Sequence, residues 1–315
     1  MDRETMKAAV FKDYGSPSVL SLAEVGKPVP KNKELLVRVY SSTVSAAVIW
    51  LRKGQFPDSK ILTFLIRLMF GITKPRHSIL GFEFSGVVED VGKDVTLFRK
   101  GDQVFGTTTG LRNGAYAEYV CVPEKWSQGV VALKSNGLSF QQAAALPVGG
   151  MTALQLLKKA KIENGHRVLI YGASGSVGTY AVQLAKYFAG HVVAACSSAN
   201  IELVKSIGAD QVIDYTKTDI SQLEDKFDVI LDAVGKFSSE KPKMLLKKGG
   251  RFVSVKSITY EKTEYLEFLQ KAVEEGKLKP IIDRTYHLEQ IVEANEYVDL
   301  GHKKGNVVIN VIAFG

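Results

Sequence analysis

Residues 167–186 read RVLIYGASGSVGTYAVQLAK, a short apolar run followed by a glycine-rich turn and a helical pattern. Gly175 and Gly178 take the second and third glycine positions of the spacing G-x-G-x-x-G, and Ala173 replaces the first. The second glycine of this spacing lets the backbone approach a pyrophosphate, and the third lets the helix pack closely on the strand. Amide groups at a helix start also favour anions. We therefore predict a dinucleotide-binding turn formed by Ala173, Ser174, Gly175, Ser176, Val177 and Gly178, with an ordinary tight strand–helix turn as the alternative.

Strand and helix patterns alternate along the chain after this turn. Strand-like runs cover residues 167–171, 191–196, 211–214, 227–232 and 251–255, and helical runs cover 177–187 and 201–207. Such alternation is typical of a parallel sheet with helices on both faces. The predicted fold class is therefore α/β, with a doubly wound Rossmann sheet in a domain of residues 127–279.

The first part of the chain instead has short strand-like runs separated by turn residues. They cover residues 7–11, 35–40, 83–91, 103–105 and 116–122, and a last run covers 306–312. Short strands separated by turn residues indicate a partly closed β-domain. Because the tail returns to this pattern, we predict a discontinuous β-rich domain of residues 1–126 and 280–315. Between the strand-rich first part and the alternating part, Ser139 and Gln142 have the spacing of a capping box, which predicts a helix start.

Composition narrows the classes of partner. The formal net charge is +8, but the lysines and arginines are scattered and follow no finger, RNP or aromatic-interleaved pattern, so we interpret the surplus as solvated surface. Nucleic-acid binding through this basic surface is kept as a rival hypothesis. Cys121 and Cys196 are too few and too far apart for a disulfide framework or a four-cysteine zinc lobe. Reduced thiols and the lack of a signal-peptide pattern predict a cytoplasmic protein.

The most apolar stretch, Ile61–Gly71, reads ILTFLIRLMFG. It is too short to span a bilayer and contains Arg67. A buried helix, a lid over a hydrophobic acceptor and contact with a membrane surface are its three interpretations, and membrane contact is the least favoured of them.

The end of the second strand of the Rossmann pattern bears on coenzyme choice. A fold that prefers NAD usually places Asp or Glu there to hold the ribose hydroxyls. Ser197 and Ser198 occupy this point. Hydroxyl groups can donate to a 2′-phosphate, and no carboxylate follows this strand to repel it, so the pattern favours NADPH over NADH. The serines could equally cap the helix that begins near Ile201.

Six segments together resemble the medium-chain dehydrogenase/reductase superfamily, in its zinc-independent quinone oxidoreductase (zeta-crystallin-like) branch. They are residues 81–92, 114–120, 143–154, the glycine turn, 231–235 and 248–254, and they cover nearly the whole chain in the family's order. The resemblance implies a Rossmann domain and a GroES-like catalytic domain, with substrate and nicotinamide meeting in a cleft.

The resemblance also implies further cofactor-binding residues. Thr152 lies where relatives approach the nicotinamide, and Tyr215 matches a tyrosine that contacts the 2′-phosphate. The remaining positions that carry over to cofactor contacts are Ala233, Val234, Val255, Ser257 and Asn306.

This chain departs from its relatives at three places. Asn200 stands where many of them have a lysine for the 2′-phosphate, and Ser45–Val48 replaces an Asn-Pro-x-Asp stretch that lines the cleft. The segment between Val255 and Glu274 is short, although relatives use it for an edge strand that pairs in a dimer. A homodimer and a monomer therefore both stay open.

The resemblance predicts no metal. Zinc-dependent relatives ligate zinc with the histidine of a Gly-His-Glu triplet, and here the triplet is Gly81-Phe82-Glu83. Phenylalanine cannot ligate zinc. Without a metal, hydride transfer suits a quinone or an α,β-unsaturated carbonyl, with Thr43 and Ser45 as candidate hydrogen-bonding residues. A zinc-independent alcohol or aldehyde oxidoreductase and an NADPH-binding, redox-responsive protein with little turnover are the alternatives.

Overall fold

The computed structural model describes residues 4–56, 59–108, 114–126, 129–237 and 244–312. The chain forms two compact units. The first consists of Met1–Pro147, Glu261–Glu267 and Ile282–Gly315, and the second of Val148–Tyr260 and Phe268–Ile281.

The first unit is built on strands. A hairpin pairs β1 (Thr5–Phe11) with β2 (Leu20–Gly26). The larger sheet contains β3 (Glu34–Thr43), β4 (Glu83–Val91), β5 (Gln103–Thr107), β6 (Tyr119–Pro123), β7 (Val131–Leu133), β13 (Ile282–His287) and β14 (Asn306–Asn310). Its order is β13-β14-β3-β4-β5-β7, and β6 also pairs with β3. The tail strand therefore joins the N-terminal sheet directly, which confirms that this unit is discontinuous in sequence.

Helices of the first unit close over this sheet. They are α1 (Ala46–Lys53), α2 (Lys60–Phe70), α3 (Phe140–Ala145) and α8 (Ile291–Asp299). The completely buried guanidinium of Arg52 on α1 donates to Asn295 Oδ1 at 3.2 Å and to Asp299 Oδ2 at 2.8 Å, both on α8. A third bond reaches the carbonyl of Gly15 at 2.5 Å. This buried network fixes α1, and with it the end of β3 just before it.

Helix α3 begins as the sequence predicts. Ser139 Oγ accepts from the Gln142 amide at 3.1 Å, and Gln142 Oε1 accepts from the Ser139 amide at 3.0 Å, which completes the capping box. The carbonyl of Phe140 then accepts from Ser85 Oγ on β4 at 2.5 Å. These contacts explain why the compact units divide after Pro147, whereas the sequence places the domain boundary at residues 126/127.

Helix α2 is not a core helix. None of its residues is buried, so the buried-helix interpretation of Ile61–Gly71 is wrong. The helix begins after Ser59, whose hydroxyl accepts from the Leu62 amide at 3.1 Å. Of the helices in the part of the chain that the structure describes, none is long and apolar enough to cross a bilayer.

The second unit contains a parallel sheet. Its strands are β8 (Arg167–Tyr171), β9 (His191–Cys196), β10 (Gln211–Asp214), β11 (Phe227–Asp232) and β12 (Leu246–Ser254), in the order β10-β9-β8-β11-β12. Helices α4 (Pro147–Lys159), α5 (Ser176–Tyr187), α6 (Ile201–Ser206) and α7 (Thr263–Glu274) complete the description. The strand order reverses at β8, and this is the point where open α/β sheets bind ligands. The predicted α/β fold class with a doubly wound parallel sheet is confirmed.

Candidate functional site

The glycine turn lies at the carboxyl end of β8, between β9 and β11. The amides of Gly172 and Ala173 donate to the carbonyl of Ala195 on β9, at 3.0 and 3.1 Å. Gly172 has a φ of +78°, a backbone conformation that would be strained for any residue with a side chain. Because the amide of Ala173 is committed and its side chain is completely buried, this residue shapes the turn and has no donor left for a ligand.

Gly175 and Gly178 differ in what surrounds them. A Cβ atom built on Gly178 would lie 2.1 Å from the carbonyl oxygen of Gly172, so only glycine lets α5 approach β8 this closely. Apart from its chain neighbours, a Cβ built on Gly175 would meet its nearest protein atom, again the Gly172 oxygen, at 3.7 Å. Packing therefore explains Gly178, whereas the openness in front of Gly175 leaves room for a ligand at the first turn of α5. The amides of that turn have no acceptors within the helix.

Asn200 joins the glycine turn to the end of β9. Its Nδ2 donates to Ser174 Oγ at 3.0 Å and to Ser197 Oγ at 3.1 Å. Both hydroxyl oxygens act as acceptors in these bonds, so both hydroxyl protons can point elsewhere. Asn200 is nine-tenths buried, and its Oδ1 has no hydrogen-bond partner among the described residues. The sequence identified Asn200 only as a missing lysine and did not predict this bridge.

Ser198 has a carboxylate neighbour, which corrects the sequence interpretation. Its hydroxyl donates to Asp214 Oδ2 and lies 3.1 Å from Thr216 Oγ1. The hydrogen bonds from Ser198 and Thr216 hold the pKa of Asp214 below its ordinary value. The register of β9 with β10 places Asp214 opposite Cys196, so a residue distant in sequence reaches the serines. The expectation that no carboxylate stands near them is therefore wrong.

A cavity of about 430 Å³ opens beside these groups. Tyr215, which is 42% exposed, lines it together with Tyr171, and their ring centroids are 5.7 Å apart. Two lysines, Lys217 and Lys236, also line it. Lys217 Nζ lies 3.8 Å from Asp214 Oδ2, so a cation partly offsets the charge of that carboxylate. The combination of aromatic rings and ammonium groups suits a planar ring that carries a phosphate.

The end of β11 is shaped by Asp232, which sequence reasoning missed. Its buried carboxylate accepts from the amides of Val234, Gly235 and Phe237 at 3.1, 2.8 and 3.1 Å. This bonding turns the chain outward and leaves the side chain of Val234 44% exposed. The sequence signal was an aspartate at the end of an apolar run with a glycine three positions later, and in the structure that glycine, Gly235, has a φ of +74°.

The other predicted cofactor residues of the second unit lie nearby in the fold. The amides of Ala233 and Val255 donate to Tyr171 O and Asp232 O, at 2.9 and 3.0 Å, so both follow strand ends at the same edge of the sheet. Ser257 donates its amide to Ser254 O at 2.9 Å, and Thr152 is half-buried on α4. Asn306 belongs to the first unit, where it is buried at the start of β14.

The first unit holds a buried polar cluster around Glu83. Thr43 Oγ1 donates to Glu83 Oε2, and the hydroxyl of Tyr116 donates to Thr43 O at 2.9 Å. All three side chains are almost completely buried, and burial raises the pKa of Tyr116. Ser45 caps α1, because its hydroxyl accepts from the Val48 amide at 3.5 Å. Both hydroxyls predicted to bond substrate thus already have partners within the protein, and their substrate role stays a prediction.

Lys303 is a titratable group near this cluster that the sequence did not single out. Its Nζ donates to the carbonyl of Gly305 at 2.6 Å. Burial lowers the pKa of the ammonium to about 8, while the carboxylates of Glu83 and Asp283 act in the opposite direction. The ammonium of Lys303 is therefore within electrostatic range of the Glu83 carboxylate.

Replacing Lys303 by Met should change the pH dependence of stability. Between about 8 and the ordinary lysine pKa of 10.5 the folded chain binds fewer protons at this group than the unfolded chain, so its contribution to stability rises with pH. Lys303→Met removes that dependence. The quantity to compare is the melting temperature of the variant minus that of the wild type. We expect this difference to be a few degrees larger at about pH 7 than at about pH 10.

Thermal unfolding at several pH values measures this difference, and Lys12→Met is the control because Lys12 is exposed. A parallel pH dependence for wild type and Lys303→Met would contradict the lowered pKa.

Phe82 occupies the place of the zinc-ligating histidine and packs in a core cluster with Leu80, Tyr116 and their neighbours. Within residues 4–56, 59–108, 114–126, 129–237 and 244–312, no three His, Cys, Asp or Glu side chains are grouped so that they could hold a metal ion. Cys121 and Cys196 are not joined in a disulfide, and burial raises the pKa of Cys196 to about 11.

Comparisons with known proteins agree with this two-unit fold. Residues 31–135 match the family described as alcohol dehydrogenase GroES-like domain, and residues 176–287 match that described as zinc-binding dehydrogenase. The chain is 35% identical to the 2-methylene-furan-3-one reductase of Solanum lycopersicum, over 98% of this chain and 79% of that protein. The chain belongs to the medium-chain dehydrogenase/reductase superfamily. As a medium-chain dehydrogenase/reductase, it is an oxidoreductase that uses a nicotinamide dinucleotide.

Two further relatives support this membership. The NADPH-dependent alkenal/one oxidoreductase, chloroplastic, of Arabidopsis thaliana is 32% identical over 96% of this medium-chain dehydrogenase/reductase and 79% of that protein. The solved structure of the quinone oxidoreductase from Coxiella burnetii has a TM-score of 0.88 at 30% identity, over 98% of this chain and all of that one. The predicted Rossmann and GroES-like architecture is thereby confirmed.

Proposed function

We propose that the chain is a zinc-independent, NADPH-dependent oxidoreductase that reduces a small hydrophobic quinone or α,β-unsaturated carbonyl. The observation that carries the proposal is the glycine turn with its Asn200 bridge. The turn leaves an open helix start, and the hydroxyls of Ser174 and Ser197 accept from Asn200, so both can donate to a ligand. A bound nicotinamide dinucleotide would supply the hydride. The names of the tomato, Arabidopsis and Coxiella proteins support the substrate class.

The residues of the second unit fit the dinucleotide. The amides of Val177 and Gly178, in the first turn of α5, would hold the pyrophosphate. Ser174 and Ser197 accept from Asn200 and would donate to phosphate oxygens. The predicted contacts Ser176, Val234 and Thr152 would line the rest of the binding surface.

NADPH is proposed over NADH because of the charges around the cavity. Lys217 and Lys236 line it beside Tyr215 and supply two ammonium groups for a 2′-phosphate. Asp214 opposes this preference, but the side chains of Ser198 and Thr216 already donate to its two oxygens. Lys217 and Lys236, in the loops that follow β10 and β11, would therefore take over the phosphate contact of the lysine that relatives carry at the position of Asn200.

Two features of the first unit support reduction without zinc. The apolar ring of Phe82 takes the histidine position, and Glu83 is held by the Thr43 hydroxyl, so this cluster orients the backbone and keeps water away. A quinone or enone suits such a site because the charge formed on addition spreads onto a distant oxygen, which lessens the need for a Lewis acid. The developing oxyanion still needs a hydrogen-bond donor, for which Thr43 and Ser45 are the proposed residues. Thr43 would first have to release Glu83, whereas the Ser45 hydroxyl accepts from Val48 and keeps its own proton for a substrate.

The remaining expectations also belong to this proposal. Two cysteines that form no disulfide support the proposed reducing, cytoplasmic location. The domain division at residues 126/127 and 279/280 and a homodimer are proposed, with no nucleic-acid partner.

An acceptor panel tests the activity. The purified chain is assayed for oxidation of NADPH and of NADH with a naphthoquinone, a cyclic enone and a saturated aldehyde, each with and without a zinc chelator. We expect turnover of the quinone or the enone with NADPH, unchanged by the chelator. Turnover of the aldehyde alone would favour the alcohol or aldehyde oxidoreductase, and tight NADPH binding without turnover would favour the redox-responsive protein. Loss of activity on chelation would contradict zinc independence.

A further inference from the structure

The outer face of helix α2 is apolar and open to solvent. Ile61 is 76% exposed, Phe64 62% and Met69 50%. The other exposed apolar side chains on the same helix are Leu62, Leu65 and Leu68. Positions 61, 62, 64, 65, 68 and 69 follow the spacing of one continuous helical face. That face carries no polar side chain, so it offers a partner apolar contact and nothing to hydrogen-bond.

The inner face of α2 fixes this orientation. Ile66 and Phe70 pack against the core cluster of the first unit. Arg67 Nε donates to Gly54 O at 3.0 Å, and its guanidinium lies 5.0 Å from the centre of the Tyr14 ring. The Tyr14 hydroxyl donates to Gly71 O at 2.7 Å, just beyond the helix. These polar contacts all lie on the inner side of the helix. They therefore hold the more apolar face toward solvent.

Cations surround the exposed face. Lys60 begins the helix, Lys74 and Arg76 follow it, and all three are exposed. Lys74 Nζ lies 3.6 Å from Asp13 Oδ1, so the excess positive charge beside this face comes from Lys60 and Arg76. Ile72, 57% exposed, extends the apolar surface toward the second group of cations. An apolar centre with a cationic rim is complementary to an anionic bilayer, whose headgroups are acidic and whose interior is apolar.

We propose that the outer face of α2, Ile61, Leu62, Phe64, Leu65, Leu68 and Met69, binds the surface of an anionic lipid bilayer. The helix would lie in the plane of the membrane, since its 11 residues extend only about 16 Å. A second copy of the chain is a poorer occupant, because pairing two such faces would bring two cationic rims together. This inference does not rest on the proposed cofactor or substrate.

Vesicle sedimentation of the full chain tests the proposal. The probes are phosphatidylcholine vesicles with and without phosphatidylglycerol. We expect binding to the anionic vesicles to be roughly tenfold tighter or more, and to weaken as salt is raised. The double variant Phe64→Glu/Leu68→Glu should lose roughly tenfold or more of this binding, because it places charges where acyl chains would contact the helix. Val29→Glu/Leu97→Glu, which adds the same charge at exposed apolar positions elsewhere, is the control.

Insertion is read separately from attraction by charge. A tryptophan at the face, in Phe64→Trp, should shift its emission to the blue and be quenched by brominated lipid, whereas Val29→Trp should not respond. Equal vesicle binding by the Phe64→Glu/Leu68→Glu variant and its control would overturn the proposal, as would no binding at all. A dimer in solution that the double variant dissociates would also overturn it and identify a second copy as the occupant. Melting temperatures establish that every variant is folded.

Discussion

Gly175→Val is expected to abolish measurable dinucleotide binding while the protein stays folded. Gly175 has a φ of −79° and a ψ of 178°, a conformation open to any residue, and a Cβ there meets no protein atom closer than 3.7 Å. The added methyl groups would instead fill the space in front of the first turn of α5, where a pyrophosphate must come close to the backbone. We expect the dissociation constant for NADPH to rise roughly 100-fold or more, a cost of about 2.8 kcal/mol.

Gly178→Val provides the contrast. Its Cβ would lie 2.1 Å from Gly172 O, so α5 would have to move away from β8 and stability would fall together with binding. Gly26→Val is the matched control, since a Cβ there has no neighbour within 4 Å. Calorimetric titration with NADPH and thermal unfolding separate the two effects. Binding by Gly175→Val at wild-type affinity would show that the ligand does not approach this turn.

Four of the five strands of the Rossmann sheet could be predicted from sequence residue by residue. The predicted ranges 167–171, 191–196, 211–214 and 227–232 are the bounds of β8, β9, β10 and β11. The fifth range, 251–255, differs from the observed β12, which begins at Leu246 and ends at Ser254. A parallel strand buried on both faces is a continuous apolar run, and its ends are marked by the polar or glycine residues of the following turn. Local composition therefore contains the information that defines these elements.

Contacts across the sheet could not be predicted in this way. Asp214 reaches Ser198 only because β9 and β10 pair in one particular register, and no local pattern states that register. The bridge from Asn200 to Ser174 likewise joins two loops that are 26 residues apart. The coenzyme preference depends on such contacts, which is why reasoning from the end of a single strand misjudged the charges around it.

The orientation of α2 could not be predicted for a different reason. Its outer face is the more apolar one, so hydrophobic periodicity alone would turn that face toward the core. The polar anchors of Arg67 decide it, and they depend on Gly54 and Tyr14, residues outside the helix. Only the folded chain shows that Ile66 faces the core while Phe64 faces solvent.

Asn200→Asp is expected to reduce NADPH affinity far more than NADH affinity. The wild-type amide donates to Ser174 Oγ and Ser197 Oγ, which leaves both hydroxyl protons for phosphate oxygens. A carboxylate can only accept, so both hydroxyls would turn their protons toward it. It would also add a negative charge beside the proposed site of the 2′-phosphate. We expect a loss of about 2 kcal/mol, roughly 30-fold, for NADPH.

Titrations of both coenzymes against the wild type, Asn200→Asp and Asn164→Asp measure this change. Asn164 is an exposed residue of the same unit, so its variant controls for net charge alone. A loss for NADPH with little change for NADH would place the 2′-phosphate beside Ser197. Equal losses for both coenzymes would mean that the bridge supports the pyrophosphate through Ser174 alone, and the preference for NADPH would then have to come from Lys217 and Lys236 on the far side of the cavity. Because the two serines share one donor, a single substitution distinguishes these two ways of binding the same cofactor.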